Sequence, residues 1–424
     1  VQWAASPVRA AAVRKSGLLR SAGIGRVRGV RVDMQGEVAP FRHRAAYFAF
    51  DRFPSSKGSA VHIGHMADEL FDHYGGGLLG VLGGGGLPRY QREGEREIVR
   101  FEEQIPNLID RAEAYSAWVA WHLRGHLDTL ELCHVRDPWS ALPVVTAEGR
   151  RHRVVYEVNG LPSIEMAHTW PSAAPSTLAK VRDLERLCLE RSDAVVVPSR
   201  VIGDAVLKLG VPHERIHLVP NGADVPAPAE RPGDAPERYI VYVGALQPWQ
   251  GVDVLLRAFA RLADLPELRL VICSSVPERR ARPLRRLAER LGVDQRVEWR
   301  FTLPHAEVAA WLANAEVSVA PLTACARNLD QGCAPLKVLE SMAAGTPVVA
   351  SDLPAVRELM ADGEHGRLVA PDRPAELARA VRVLLEYPDA ARAMGGRARR
   401  RITDGLTWGH SRSLLAEVYR TISP

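Results

Sequence analysis

The chain has 424 residues, 46% apolar and 25% charged, with a formal net charge of +5. That composition is globular, the length suits two domains, and no run of about 18 apolar residues exists to form a spanning helix. Five cysteines (Cys133, Cys188, Cys273, Cys325 and Cys333), odd in number and without CxxC spacing, argue against a disulfide framework or a structural zinc site. They suit a reducing cytoplasm, the expected location, with or without attachment to a membrane surface.

Residues 1–32 carry seven basic side chains and no acidic one. Without them the remainder is slightly acidic, so the basicity belongs to a tail and gives no reason to invoke nucleic acid. Residues 1–43 are expected to be a disordered leader, since their apolar blocks are too short for a secretory signal. A first domain is expected over 44–225. Its strand candidates are Ala45–Phe50, Leu78–Leu82, Leu130–Val135, Arg153–Val158, Ala194–Val197 and Ile216–Val219. Helical patterns lie between them at Ala60–Tyr74, Ile105–Leu123, Ser176–Arg191 and Arg200–Leu209. Glycine runs at 75–77 and 83–86 lack the GK[ST] of a phosphate loop and read as loops.

The proline-rich stretch 226–237 reads as a linker. Alternation then restarts over 238–407: strands at Tyr239–Val243, Leu268–Cys273, Val297–Phe301, Val317–Ala320 and Pro347–Ala350, with helices Val252–Leu262, Glu278–Leu291 and Ala306–Ala313 between the first of them. Strand alternating with helix predicts an α/β protein of two doubly wound, parallel-sheet, Rossmann-like domains facing a cleft, where ligands sit at the carboxyl ends of the strands. Residues 408–424 are expected to form a helix that crosses back to the first domain.

Gln331–Ser351 carries the most chemistry. Pro335 suits a first helical turn, Gly345 a helix end, and Lys337 lies in the first turn, where the helix dipole disfavours a cation. An anion on the free N–H groups following Gly332 would relieve that conflict. Glu340, one turn on, can accept from hydroxyls. Anion and hydroxyls side by side suggest a nucleoside diphosphate with its ribose.

Val197-Pro198-Ser199, Val219-Pro220-Asn221-Gly222-Ala223-Asp224, Val243-Gly244-Ala245-Leu246 through Gly251-Val252-Asp253, and the Gln331–Ser351 stretch are ordered and spaced as in family 4 of the GT-B glycosyltransferases, which the chain resembles from about Ala45 to Pro424. The resemblance implies a retaining transferase, without metal or other cofactor, that moves a sugar from a nucleoside diphosphate sugar to an acceptor hydroxyl. A small molecule, a glycan or a lipid would each serve as acceptor. Another GT-B enzyme, such as a nucleotide-sugar 2-epimerase, and a non-catalytic GT-B partner protein are the alternatives. The chain departs from the family pattern at Ala245 and Gln250, where an arginine and a lysine usually grip the diphosphate. It departs again at Gly332, where the first of two glutamates usually stands, and at Asn159, where a histidine is often found. A branch of the family resembles it at these places, with Pro248-Trp249-Gln250-Gly251, Glu157-x-Asn159-Gly160 through Glu165, and Arg327-Asn328 through Gln331-Gly332-Cys333.

On that resemblance, Asn159, Glu165 and Lys337 are the expected catalytic residues. Donor-binding residues would be Gly58, Ser59, Gly244, Gln250, Arg327, Gly332, Cys333, Ala334, Pro335, Leu336, Lys337 and Glu340. His62, Arg136, Asp137 and Asn159 would face the acceptor, and Trp139, Trp170 or Trp249 could stack on a sugar. No Asp-x-Asp occurs, and no metal ligands are expected.

Overall fold

The computed structural model describes residues 26–27, 30–31 and 43–423. The expected leader lies outside the described residues, apart from His43 and a two-residue antiparallel pairing of β1 (Arg26–Val27) with β2 (Val30–Arg31). The first domain comprises β3 (Ala45–Arg52), α1 (Gly58–Tyr74), β4 (Gly77–Leu82), β5 (Tyr90–Glu93), β6 (Arg96–Phe101), α2 (Leu108–Arg124), β7 (Leu132–Val135) and α3 (Pro138–Val145). It continues with β8 (Arg153–Glu157), α4 (Pro162–Thr169), α5 (Pro175–Arg191), β9 (Ala194–Val197), α6 (Arg200–Lys208) and β10 (Ile216–Leu218). Its eight strands run in the order β10-β9-β8-β7-β3-β4-β6-β5.

The sheet is not wholly parallel, as the strand–helix alternation predicts. β5 pairs antiparallel with β6 across a turn in which Gly94 takes φ 62°. The residues of β5 (Tyr-Gln-Arg-Glu) lack apolar alternation because this edge strand is mostly exposed, so no period-two signal marks it. The central strands are apolar on both faces because helices cover both, as in Tyr47, Phe48, Val154, Val155, Val195 and Val196.

Residues 219–237 contain no helix or strand and lead to the second domain. This contains β11 (Arg238–Gly244), α7 (Val252–Phe259), β12 (Leu268–Ser274), α8 (Arg282–Arg290), β13 (Val297–Phe301), α9 (His305–Ala313), β14 (Val317–Ala320) and α10 (Leu336–Ala344). There follow β15 (Val348–Ser351), α11 (Pro354–Arg357), β16 (Arg367–Val369), α12 (Pro374–Glu386) and α13 (Pro388–Thr403). Its six parallel strands run β13-β12-β11-β14-β15-β16. The last helix, α14 (Trp408–Ile422), packs against α1, burying Trp408, Leu415, Val418 and Tyr419 in the first domain's core with Ile63, Met66 and Leu70. Arg412 ties it to Glu69 and Asp72 at 2.9 and 2.7 Å. Among the described residues no helix is long and apolar enough to cross a membrane.

Candidate active site

Two helix N-termini meet across the domains. α1 begins at Gly58 and α10 at Leu336, and neither has a side-chain cap. A Cβ on Gly58 would lie 2.8 Å from Leu336 Cδ1, so glycine permits this approach. Unmet N–H groups from two helices, with their dipoles, favour an anion between them. Pro335 is the N-cap of α10, not a residue of its first turn, and Gly345 ends the helix with φ 74°. That keeps Lys337 in the first turn.

The Lys337 ammonium reaches back over the end of β11. It donates to Tyr242 Oη at 2.8 Å and to Gln250 Oε1 at 2.5 Å, and lies 4.2 Å from the centre of the Tyr242 ring. Gly244 (φ 135°) makes room, since a Cβ there would lie 3.0 Å from the ammonium. Among the described residues no carboxylate is within ion-pair distance of Lys337. Burial pushes it down to about 7, with Glu340 and Cys333 pulling the other way and Arg327 adding to the fall. Burial likewise raises the Glu340 carboxyl, opposed by His305 and Lys337. The Cys333 thiol, buried in the loop, is raised by burial as well.

Behind α1 lies a buried carboxylate. Glu157, 1% exposed at the end of β8, receives Tyr47 Oη at 2.9 Å on Oε2 and Arg136 Nε at 3.1 Å on Oε1. Asn159 Nδ2 also donates to Oε1, His62 Nε2 lies 2.7 Å from Oε1, and His134 Nε2 lies 3.3 Å from Oε2. Burial alone would raise Glu157, but His62, His134 and Arg136 together hold it well below the usual carboxylate range. His134 Nδ1 in turn meets Tyr419 Oη of α14 at 2.7 Å.

A third cluster joins the domains through a single π-helical turn, Arg327–Gln331. Gln331, fully buried, accepts from Leu161 N at 3.0 Å and donates to Glu165 Oε1 at 3.1 Å. Arg327 Nε donates to the same Glu165 oxygen at 3.1 Å while its guanidinium lies over Trp249. Asn328 holds the turn by donating to the carbonyls of Trp249 and Thr323. Glu358 of the second domain accepts from Arg200 N (2.9 Å) and Val201 N (3.3 Å) at the start of α6.

The structure therefore brings Gly58, Ser59, Gly244, Gln250, Lys337 and the 332–336 loop together, and redistributes the rest. His62 is 4% exposed and wedged between Glu157 and Asn221, so it presents nothing to an acceptor. Asp137 caps α3, accepting from Trp139 N, Ser140 N and Phe50 N, and faces no acceptor. Arg136 is committed to Glu157 and, at 3.6 Å, to Asp51. Arg327 is paired with Glu165 and does not lie free at the anion position. Trp249 is buried beneath it, and Trp139 packs on the core. Sequence reasoning named Glu157 and Gln331 only as members of motifs, without a role, and did not name Tyr242. For Glu157 the signals were that motif and a carboxylate ending the apolar strand Val154–Tyr156.

Comparison with known proteins agrees with this architecture. Residues 57–226 match the model for glycosyltransferase family 4, and residues 237–387 match that for glycosyl transferases group 1. Over 301 residues the chain is 31% identical to alpha-maltose-1-phosphate synthase of Mycolicibacterium smegmatis, covering 62% of this chain and 74% of that one. Over 236 residues it is 32% identical to MMP alpha-(1->4)-mannosyltransferase of Mycolicibacterium hassiacum, spanning 55% of each chain. Among solved structures, sucrose-phosphate synthase from Thermosynechococcus elongatus superimposes with a TM-score of 0.70 at 19% identity, over 89% of this chain and 99% of that one. Anabaena HepE in complex with UDP-glucose gives 0.68 at 16%, over 90% and 100%. With both halves matched in order, and two Rossmann-like domains meeting at the ends of their strands, the chain belongs to the family 4 glycosyltransferases of GT-B fold.

Proposed function

We propose that the chain is a retaining glycosyltransferase that moves a sugar from a nucleoside diphosphate sugar to an acceptor hydroxyl without a metal ion. The observation that carries this reading is Lys337, a half-buried cation without a carboxylate partner among the described residues, set where two uncapped helix N-termini converge. A diphosphate supplies the missing charge. In the family pattern a lysine stands at position 250. Here Gln250 accepts from an ammonium delivered by α10, so the cation occupies nearly the same place from another element. Two solved GT-B structures of similar fold hold UDP or UDP-glucose, in keeping with such a donor.

In the reaction, the bond between the anomeric carbon and the diphosphate oxygen breaks as the acceptor oxygen bonds to that carbon on the same face. The acceptor proton passes to the departing diphosphate. Lys337 and the N–H groups of α10 stabilise the charge developing on that group, and Glu340 accepts from the ribose hydroxyls. Asn159, at the strand end, lies on the acceptor side. Glu165 acts by holding Arg327 and Gln331, closing the site against water. Retention rests on family membership, and metal independence on the absence of an Asp-x-Asp sequence and on a cation supplied by the protein. Turnover across UDP-, GDP- and ADP-sugars tests the reading. Nucleotide release that survives EDTA, with the product keeping the donor's anomeric configuration, is expected. No release and no thermal shift with any of them overturns it.

A further inference from the structure

Asn221 lies in the segment joining the domains, and its side chain faces both ways. Its Nδ2 donates to Ala334 O at 3.1 Å, in the loop that leads into α10. That bond turns its Oδ1 toward His62 Nδ1, 2.8 Å away, which therefore donates. The other His62 nitrogen lies 2.7 Å from Glu157 Oε1. Each link is buried, with Asn221 5% and His62 4% exposed. The next step reaches α14 through His134 and Tyr419. Trp408 packs edge-on to His62 and closes it off from solvent.

We infer that Asn221 and His62 are positioning residues that couple the buried Glu157 carboxylate to the 332–335 loop. This deepens the donor-site reading above and rests on it. The Ala334 carbonyl is the last acceptor before the N-cap Pro335. Pulled toward Asn221, it is held away from the place where the diphosphate binds, and the peptide N–H groups that follow are left aimed at that place. A carbonyl released to rotate would present a negative end to an anion. Because Asn221 belongs to the interdomain segment, the loop is set only when the domains stand as they do here. Neither residue touches the reacting atoms.

The test compares wild type with Asn221→Asp, which keeps an acceptor for His62 but has no donor for Ala334. Amide hydrogen exchange in the free chain over residues 332–337 is expected to speed up about tenfold, the scale of one lost hydrogen bond. Exchange over β8 should stay unchanged. The affinity for the tightest-binding of UDP, GDP and ADP is expected to fall at least tenfold, with KM for the donor rising more than kcat falls. Unchanged exchange over 332–337 overturns the coupling, even where nucleotide binding is intact. A wild-type chain that binds no nucleotide, with exchange altered as expected, overturns the donor-site reading alone. Should Asn221→Asp not fold, His62→Gln, which removes the ring's reach to Glu157, is expected to give the same local exchange change, and a uniform change throughout the first domain overturns the proposal.

Discussion

Lys337→Met separates a cation kept for a ligand from one kept for stability. In the free chain the ammonium has two neutral partners, Tyr242 Oη and Gln250 Oε1, and lies over an aromatic ring. Methionine has similar length and keeps the ring contact without the buried charge. Exchange of a poorly compensated, half-buried ion for an apolar side chain is neutral or mildly stabilising, so unfolding free energy should change by about 0 to +1 kcal/mol. A charge-assisted hydrogen bond to a phosphate contributes about 1.5–3 kcal/mol, so donor affinity should fall roughly 10- to 150-fold. The two signs are opposed, and that opposition is the signature. Urea unfolding of the free chain gives the first quantity and titration calorimetry with the tightest-binding nucleoside diphosphate the second. The double variant Gln250→Lys/Lys337→Met, which returns the cation to the family's usual position, should recover most of the affinity. A Lys337→Met chain destabilised by more than about 2 kcal/mol and binding normally would show that the lysine is structural.

The lysine also predicts a pH dependence. Its folded value of about 7 lies below the roughly 10.4 of an unfolded lysine, so between those pH values the unfolded chain binds the extra proton and stability of the free chain rises with pH. Lys337→Met should remove that rise, and wild-type diphosphate affinity should weaken above about pH 7, with proton uptake visible as buffer-dependent binding enthalpy. Glu157→Gln leaves Arg136 with Asp51, 3.6 Å away, as its remaining counter-charge, and should cost about 3–5 kcal/mol in denaturant unfolding at neutral pH. Because Glu157 is held low when folded, its stabilisation is complete above the unfolded carboxylate value of about 4.3 and is lost as pH falls through the folded value. A Glu157→Gln loss below about 1 kcal/mol would refute the network's ionic character. Gly332→Glu, which restores the family's usual residue, should lower turnover at least tenfold; equal or higher turnover would contradict the closed arrangement of the domains.

Much of the fold was legible because its strands and helices carry strong periodicity. β9, β13 and β14 have the expected bounds, and most others shift by one to three residues. β5 was not legible because it is exposed and polar, and its order comes from pairing with β6. The loop into α10 could be read from proline, lysine and glycine spacing alone. The role of Glu157 could not, since its partners Tyr47, His62, His134 and Arg136 lie on two strands, a helix and the bend after β7, 21 to 110 residues away. Arg327 illustrates a different limit. Its charge is evident in the sequence, but whether it serves the donor or a carboxylate depends on Glu165, 162 residues earlier, which only the packing of α4 against the π turn brings near.

Two of the departures from the family pattern, at 332 and at 250, have local physical reasons. Gly332 has φ 87°, and a Cβ there would lie 2.8 Å from Val201 Cγ1 and 3.2 Å from Ile202 N. A glutamate would carry the strain of a left-handed backbone and push α6 away. The same α6 start receives Glu358 from the second domain, and the residue before Gly332 is Gln331, inserted between Leu161 and Glu165. The missing glutamate is therefore a condition for the second domain to close on the first at this point. The loop that follows reaches Asn221 in the segment between the domains, while Lys337 meets Gln250 within the second domain. Two sets of contacts result: glutamine at 331 and glycine at 332 join the domains, while glutamine at 250 receives the α10 lysine at 337 inside the second domain.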